Sequence, residues 1–308
     1  MFFRGSYGAA SLNYPLFGDA GLDSYEAFIF RNTGQDFAKA RMRDPMLTEI
    51  AETYLDMPVQ KNRPVALYLN GEFWGIYYIR EKINENYVAG NYNVTPEEVD
   101  LTRASGKTST AYTKLMDYVR SHDLNVQENY DYLASQVDIQ NYMDYIIAEI
   151  IICNTDNGNI KFFKPGDGKW KWVMYDVDQS FRSAYFDTVY EHLNPAGTGS
   201  LDRFPTTLIN ALLKRSEFKE AFLKRFAWQL NEVWSAENLN AYIDKYAAVL
   251  APEMRRDCAK WGHEYSTWEA NVQEMHDFAN TRTAYVLQHV KKKFGLTDEQ
   301  MRSYGFKV

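Results

Sequence analysis

Hydrophobic positions along the chain change period several times, and each change marks an element. From Asp138 the sequence DIQNYMDYIIAEIIICN sets Ile139, Tyr142, Met143, Ile146, Ile147, Ile150 and Ile151 at steps of three and four. That spacing is one apolar helix face. Asp138 stands where an N-cap belongs, with a carboxylate able to accept from a free N–H of the first turn. The polar run NTDNGN ends this helix, and IKFFK and KWKWVMY follow as β-prone runs joined by PGDG, a turn sequence. A second hairpin is written in VALYLNGEFWGIYYIRE, where Asn70-Gly71 is the preferred pair for a two-residue turn.

Around that hairpin, SYEAFIFRN reads as a strand ending at Arg31 and Asn32, with TGQD as a turn. ARMRDPMLTEIAETYLDM reads as a helix with Asp44 as its cap and Pro45 at its first position. Strand, helix and hairpin make a small α/β lobe over residues 1–85. Residues 86–308 read as mainly helical: TKLMDYVRSHD, VQENYDYLASQV, TTLINALLKR, SEFKEAFLKRFAWQLNEVW, AENLNAYIDKYAAVLAPEMRRDCAKW and a last helix from about Thr267 to Phe294. Residues 90–110 and the stretch from Phe181 to about Arg203 have the composition of connections. The fold class is α+β, as one domain of two lobes, with the IKFFK–KWKWVMY hairpin of the second lobe at their boundary.

Composition narrows the function. With 45% apolar and 16% aromatic residues the chain can bury a large core, and a net charge of −7 without a basic stripe argues against a nucleic-acid partner. No run of about 18 apolar residues spans a membrane. MFFRGSYGAASLNYPLF is too interrupted for a secretory signal. Two cysteines make no disulfide framework, and the five histidines have no metal-ligand spacing. Gly106-Lys107-Thr108 imitates the end of a phosphate-binding loop, but the motif's first glycine would fall at Leu101, so the match is rejected.

The candidate chemistry lies between Asp156 and Asp178. Asp156 and Asn159 emerge on the loop after the Ile-rich helix. Asp176 and Asp178 end the Trp-rich strand, where alternation predicts that both carboxylates face one way. Phosphoryl transfer needs a carboxylate to orient the attacking hydroxyl and oxygen ligands to hold magnesium against nucleotide phosphates. Each of these residues alone is a common turn former. Their joint order after a helix and a hairpin carries the argument.

RNTGQDF, LYLNGEFWGIYYIREKI and NTDNGNIKFF…GKWKWVMYDVDQSF resemble the CotH kinase family, related to spore coat protein H. The resemblance runs from about Tyr7 to RTAYVLQHVKKKFGL. It implies a diverged protein-kinase-like two-lobe fold, an extracytoplasmic bacterial protein, and an atypical kinase that transfers the γ-phosphoryl group of ATP to protein hydroxyls with Mg2+ or Mn2+. The protein substrate is not readable from the sequence. On this resemblance Asp156 would be the catalytic carboxylate, Asn159 a catalytic-loop magnesium ligand, and Asp176 and Asp178 the metal-binding acids. By element order, Arg31 would contact phosphate, Glu49 or Glu52 would pair with it, and Glu81 would lie where adenine meets the lobe connection. No glycine-rich phosphate loop is visible, and the chain reads as beginning inside its first lobe. Two other readings stand beside the kinase: a catalytically inactive surface or coat module of the same fold, and a metal-dependent glycosyltransferase using only the Asp-x-Asp. The latter lacks the βαβ pattern such enzymes place before that motif.

Overall fold

In the computed structural model, residues 1–308 are described except 19–20, 104–108, 157 and 195–205. The Gly106-Lys107-Thr108 segment therefore lies outside the described residues. Strands β1 (Leu12–Asn13) and β2 (Ser24–Tyr25) form a short pair. Next come β3 (Phe28–Arg31), helix α1 (Arg43–Leu55), β4 (Asn62–Leu69) and β5 (Glu72–Glu81), which make an antiparallel sheet in the order β3-β5-β4. Asn70 (φ 52°) and Gly71 (φ 83°) close the β4–β5 hairpin, with Leu69 opposite Glu72. Both central residues are left-handed, as a type I′ turn requires, and Gly71 meets that demand without a Cβ penalty.

Helix α2 (Glu85–Tyr92) leads to β6 (Val99–Arg103), and then to α3 (Thr110–Ser121), α4 (Gln127–Gln136) and α5 (Ile139–Ile151). The hairpin β7 (Lys161–Pro165) and β8 (Lys171–Val173) is present, but β6 pairs with β7 to make a three-stranded sheet. Strand β6 and the last turn of α2 occupy sequence that reads as connection. The sheet partner of β6 lies far along the chain, so local composition carries little trace of that strand. Helix α6 (Thr188–Leu193) likewise interrupts the stretch read as loop after Phe181. Helices α7 (Thr206–Leu212), α8 (Ser216–Trp228), α9 (Ala236–Trp261), α10 (Tyr265–Phe294) and α11 (Asp298–Ser303) complete the α+β architecture.

Two capping expectations part ways. Asp138 is the N-cap of α5 and accepts from Asn141 N at 3.0 Å. Asp44 is not a cap. Helix α1 begins at Arg43 after Met42, and the Asp44 side chain is buried elsewhere. One core cluster joins α1 (Met46, Leu47, Ile50) and β5 (Ile76, Tyr78) with α5 (Ile146, Ile147, Ile150) and α9 (Leu239, Ile243, Leu250). The sheet β3-β5-β4 thus has one face fused to the helices. Its other face carries a smaller cluster of Leu16, Tyr25, Phe28 and Ile79. Asp257 of α9 strengthens the junction: it accepts from Ile76 N at 2.7 Å and pairs with Arg41.

Candidate active site

The site is assembled where the fused face of the sheet meets the segment after β8. Arg31, the last residue of β3, pairs with Asp176 and donates from Nη2 to Asp178 Oδ2 at 2.9 Å. Gln35 N donates to the same Oδ2 at 2.9 Å. Asp176 and Asp178 therefore do converge, but strand alternation is not the cause. Strand β8 ends at Val173, and Asp176 is left-handed with φ 59°. A non-glycine residue in that region is held there by its surroundings, here by the Arg31 contact.

The pair sits on a second layer of charge. Antiparallel register sets Arg80 opposite Ile29, so Arg80 and Arg31 lie on one face of the sheet. Arg80 pairs with Asp44 of α1, whose Oδ1 accepts from Val177 N at 2.9 Å. Asp44 thus grips the backbone between the two acids. Burial alone would raise the Asp44 pKa; Arg80, Arg31 and the Val177 N–H outweigh it and hold the carboxylate below its ordinary value. For Asp178 the balance reverses. Burial first, then the charge of Asp176, push it upward against Gln35 N–H and Arg31. Arg31 is desolvated, yet Asp44, Asp176 and Asp178 together raise it above its ordinary value.

Gly34 makes this contact possible. A Cβ there would stand 2.2 Å from Asp178 Oδ2 and 2.7 Å from Arg31 Nη2, and its φ of +57° disfavours other residues as well. Asp36, fully buried two residues on, accepts from Met42 N at 2.8 Å and Arg43 N at 3.0 Å, pinning the loop that enters α1.

Asp156 and Asn159 form a separate pair. Asn159 Nδ2 donates to Asp156 Oδ2 at 3.0 Å, and Gly158 N donates to Oδ1 at 3.2 Å. Gln179 Nε2 also reaches Asp156 Oδ2, at 3.1 Å, so the residue after Asp178 ties the two pairs together. The remaining expectations are displaced. Neither Glu49 nor Glu52 meets Arg31: Glu49 accepts from Tyr246 OH at 2.6 Å and pairs with Lys245, while Glu52 pairs with Lys61. The α1 carboxylate that faces the arginines is Asp44, in the first turn of the helix. Glu81 lies in register with Phe28, on the opposite face of the sheet from Arg80. Its Oε2 accepts from Lys61 N at 3.1 Å, and burial pushes its carboxyl up to about 7. A cavity of about 230 Å³ adjoins it, lined by Tyr25, Lys82, Asn84 and Tyr87 among others.

Among the described residues, no group of three or more His, Cys, Asp or Glu is arranged to hold a metal ion. The oxygen donors come instead as the Asp176–Asp178 pair and the Asp156–Asn159 pair. Hard carboxylate and amide oxygens are the donor chemistry of Mg2+ or Mn2+. Two carboxylates on one partly exposed arginine leave oxygen lone pairs for a cation, so the residues present fit one. Sequence reasoning missed Asp44, Arg80, Gly34, Gln35 and Gln179; of these, only Gly34 in the turn TGQD carried a local signal.

No helix among the described residues is long and apolar enough to cross a membrane. No curated protein matches the chain. The sequence profile of a family described as CotH kinase protein matches residues 6–286, and with the hairpins and acidic pairs in place the chain belongs to the CotH kinase family.

Proposed function

We propose that the protein is an atypical kinase that moves the γ-phosphoryl group of ATP to protein hydroxyls, acting outside the cytoplasm. Family membership supports the kinase-like chemistry. The observation that carries the finer reading is the convergence of Asp176 and Asp178 on Arg31, tied by Gln179 to Asp156. In this reading the fold is a two-lobe kinase-like one split near residue 85. Asp176, Asp178 and the amide oxygen of Asn159 are the groups that would hold a divalent cation. Such a cation would supply positive charge against the phosphates, and Arg31, partly exposed beside the acids, would add its own. Asp156 accepts the bond from the substrate hydroxyl and orients it. Glu81 and the 230 Å³ cavity lie across the sheet from Arg31, so they take no part in the nucleotide site of this reading. Glu49 and Glu52, engaged with Lys245 and Lys61, support α1 without touching the nucleotide.

A positioned carboxylate acts chiefly in the transition state, so Asp156→Asn lowers phosphate transfer by about 10²–10⁴-fold and leaves nucleotide affinity nearly unchanged. The assay is transfer from labelled ATP to the chain itself or to a generic protein acceptor. Equal transfer by wild type and Asp156→Asn reduces Asp156 to a turn former. A second reading rests on the same arginine. Because Arg31 already engages both acids, the fold can serve as an inactive surface or coat module, and that reading gains if wild type binds nucleotide and metal yet transfers nothing.

A further inference from the structure

Behind Asp156 lies a buried polar chain that the chemistry above does not use. Asn154 is nearly fully buried, and each of its polar groups is engaged. Its N–H donates to Glu149 O at 3.1 Å, and its carbonyl contacts His192 Nε2 at 3.2 Å. Its side-chain Nδ2 donates to Glu149 Oε2 at 2.7 Å, while Oδ1 accepts from Asp156 N at 3.1 Å. One side chain therefore spans from the last turn of α5 to the backbone of the proposed catalytic residue. Burial depresses His192 to about 4, so near neutrality its ring is uncharged and can act as an N–H donor to the Asn154 carbonyl. Glu149 is a wholly buried carboxyl whose partners are Asn154 and Tyr145; burial pushes it up to about 7.

A buried carboxyl costs stability unless its bonds are satisfied. Here the bonds lead to a loop of polar residues, NTDNGN, that has little apolar side chain of its own to fix it. Loop geometry alone would need no acid on α5. The direction of the chain, from helix to Asn154 to the Asp156 backbone, gives that acid a use.

We propose that Glu149 and Asn154 are positioning residues that fix the Asp156 backbone, and through it the carboxylate, in the geometry for catalysis. This rests on the assignment of Asp156 above. Asn154→Asp keeps an oxygen for the Asp156 N–H but replaces the donor to Glu149 with a carboxylate, so at pH 8 repulsion between the two acids pulls that oxygen out of line. Glu149→Gln with Asn154→Asp restores the bond with donor and acceptor exchanged. At pH 8, exchange of the Asp156 amide hydrogen is expected to rise about tenfold in Asn154→Asp and return to near the wild-type rate in the double variant. Turnover is expected to fall by about 10–10²-fold in the single variant with the KM for nucleotide little changed, and to recover in the double, as for a small displacement of a reacting group. A relay that is merely structural would shift melting without this split between kcat and KM. Unchanged Asp156 exchange in a folded Asn154→Asp variant, or no recovery in the double, overturns the relay. If wild type transfers no phosphate, the kinase reading fails, while amide exchange still decides the relay.

Discussion

The two acidic pairs are held in opposite ways. Asp156 and Asn159 are fixed by hydrogen bonds from their own loop and from Gln179, with Glu149 behind them as a buried acid. Asp176 and Asp178 are fixed by permanent charge from across the molecule: Arg31 from β3, with the Arg80–Asp44 pair beneath. The first arrangement sets a direction for a carboxylate. The second sets a charge balance that an incoming cation must share with an arginine. A group that orients a proton and a group that holds a metal call for these different supports.

Removing the arginine is the strongest way to break this contrast. Arg31→Met leaves Asp178, whose side chain is 2% exposed, beside Asp176 without its cation. The expected loss is about 3 kcal/mol, the lower end for breaking a buried pair because the Arg31 side chain is 26% exposed. Magnesium would recover part of that loss, raising the melting temperature of the variant more than that of wild type. An equal metal effect on both would mean that Arg31 and metal do not share the site. Gly34→Val tests the same pair from the backbone. Its Cβ would fall against Asp178 and Arg31 at a left-handed residue, and an expected destabilisation of about 2 kcal/mol reports both effects. A variant as stable as wild type by denaturant melt would show that the loop moves aside freely.

The smallest effect belongs to the hydrogen-bonded pair. Glu149 loses its proton near 4.5 when unfolded and at about 7 when folded, so between these values the folded chain binds more protons. Its contribution is full below pH 4.5 and is lost as pH rises through 7. Glu149→Gln removes that loss and should be more stable than wild type at pH 8 by on the order of 1–2 kcal/mol, with the gap closing toward pH 4.5. Arg31 keeps its charge across this window, so any pH trend of Gly34→Val reports Asp178, whose carboxyl is also raised, and not the arginine. Parallel melts of both variants at pH 4.5 and 8 check the contrast. A gap at Glu149 that does not change with pH would mean that the buried acid is not the group titrating.

What the sequence disclosed follows how local each cause is. Asn70-Gly71, the Asp138 cap and the β7–β8 hairpin are set by neighbouring residues, and all three stand where their sequences indicate. Asp156, Asn159, Asp176 and Asp178 are brought to two adjoining pairs because short connections leave them little freedom. The supports were hidden because they are distant. Asp44 looked like a cap, yet its partners Arg80 and Val177 lie 36 and 133 residues away. Glu49 and Glu52 were matched to Arg31 by element order, which cannot tell one turn of α1 from the next. The convergence of Asp176 and Asp178 was expected for a reason that does not apply, since a left-handed Asp176 replaces the extended strand. Strand β6 was missed because its pairing with β7 spans about 60 residues of chain, more than a local pattern reports.

Calorimetric titration with magnesium and ATP tests the central claim most directly, because it separates the acids that hold a cation from Asp156, which orients a proton. Wild type and Asp156→Asn should bind the metal–nucleotide alike, and Asp176→Asn combined with Asp178→Asn should bind at least about tenfold more weakly. Equal binding by wild type and the doubly substituted protein would contradict the account, leaving the acidic pair as a structural partner of Arg31 and nothing more.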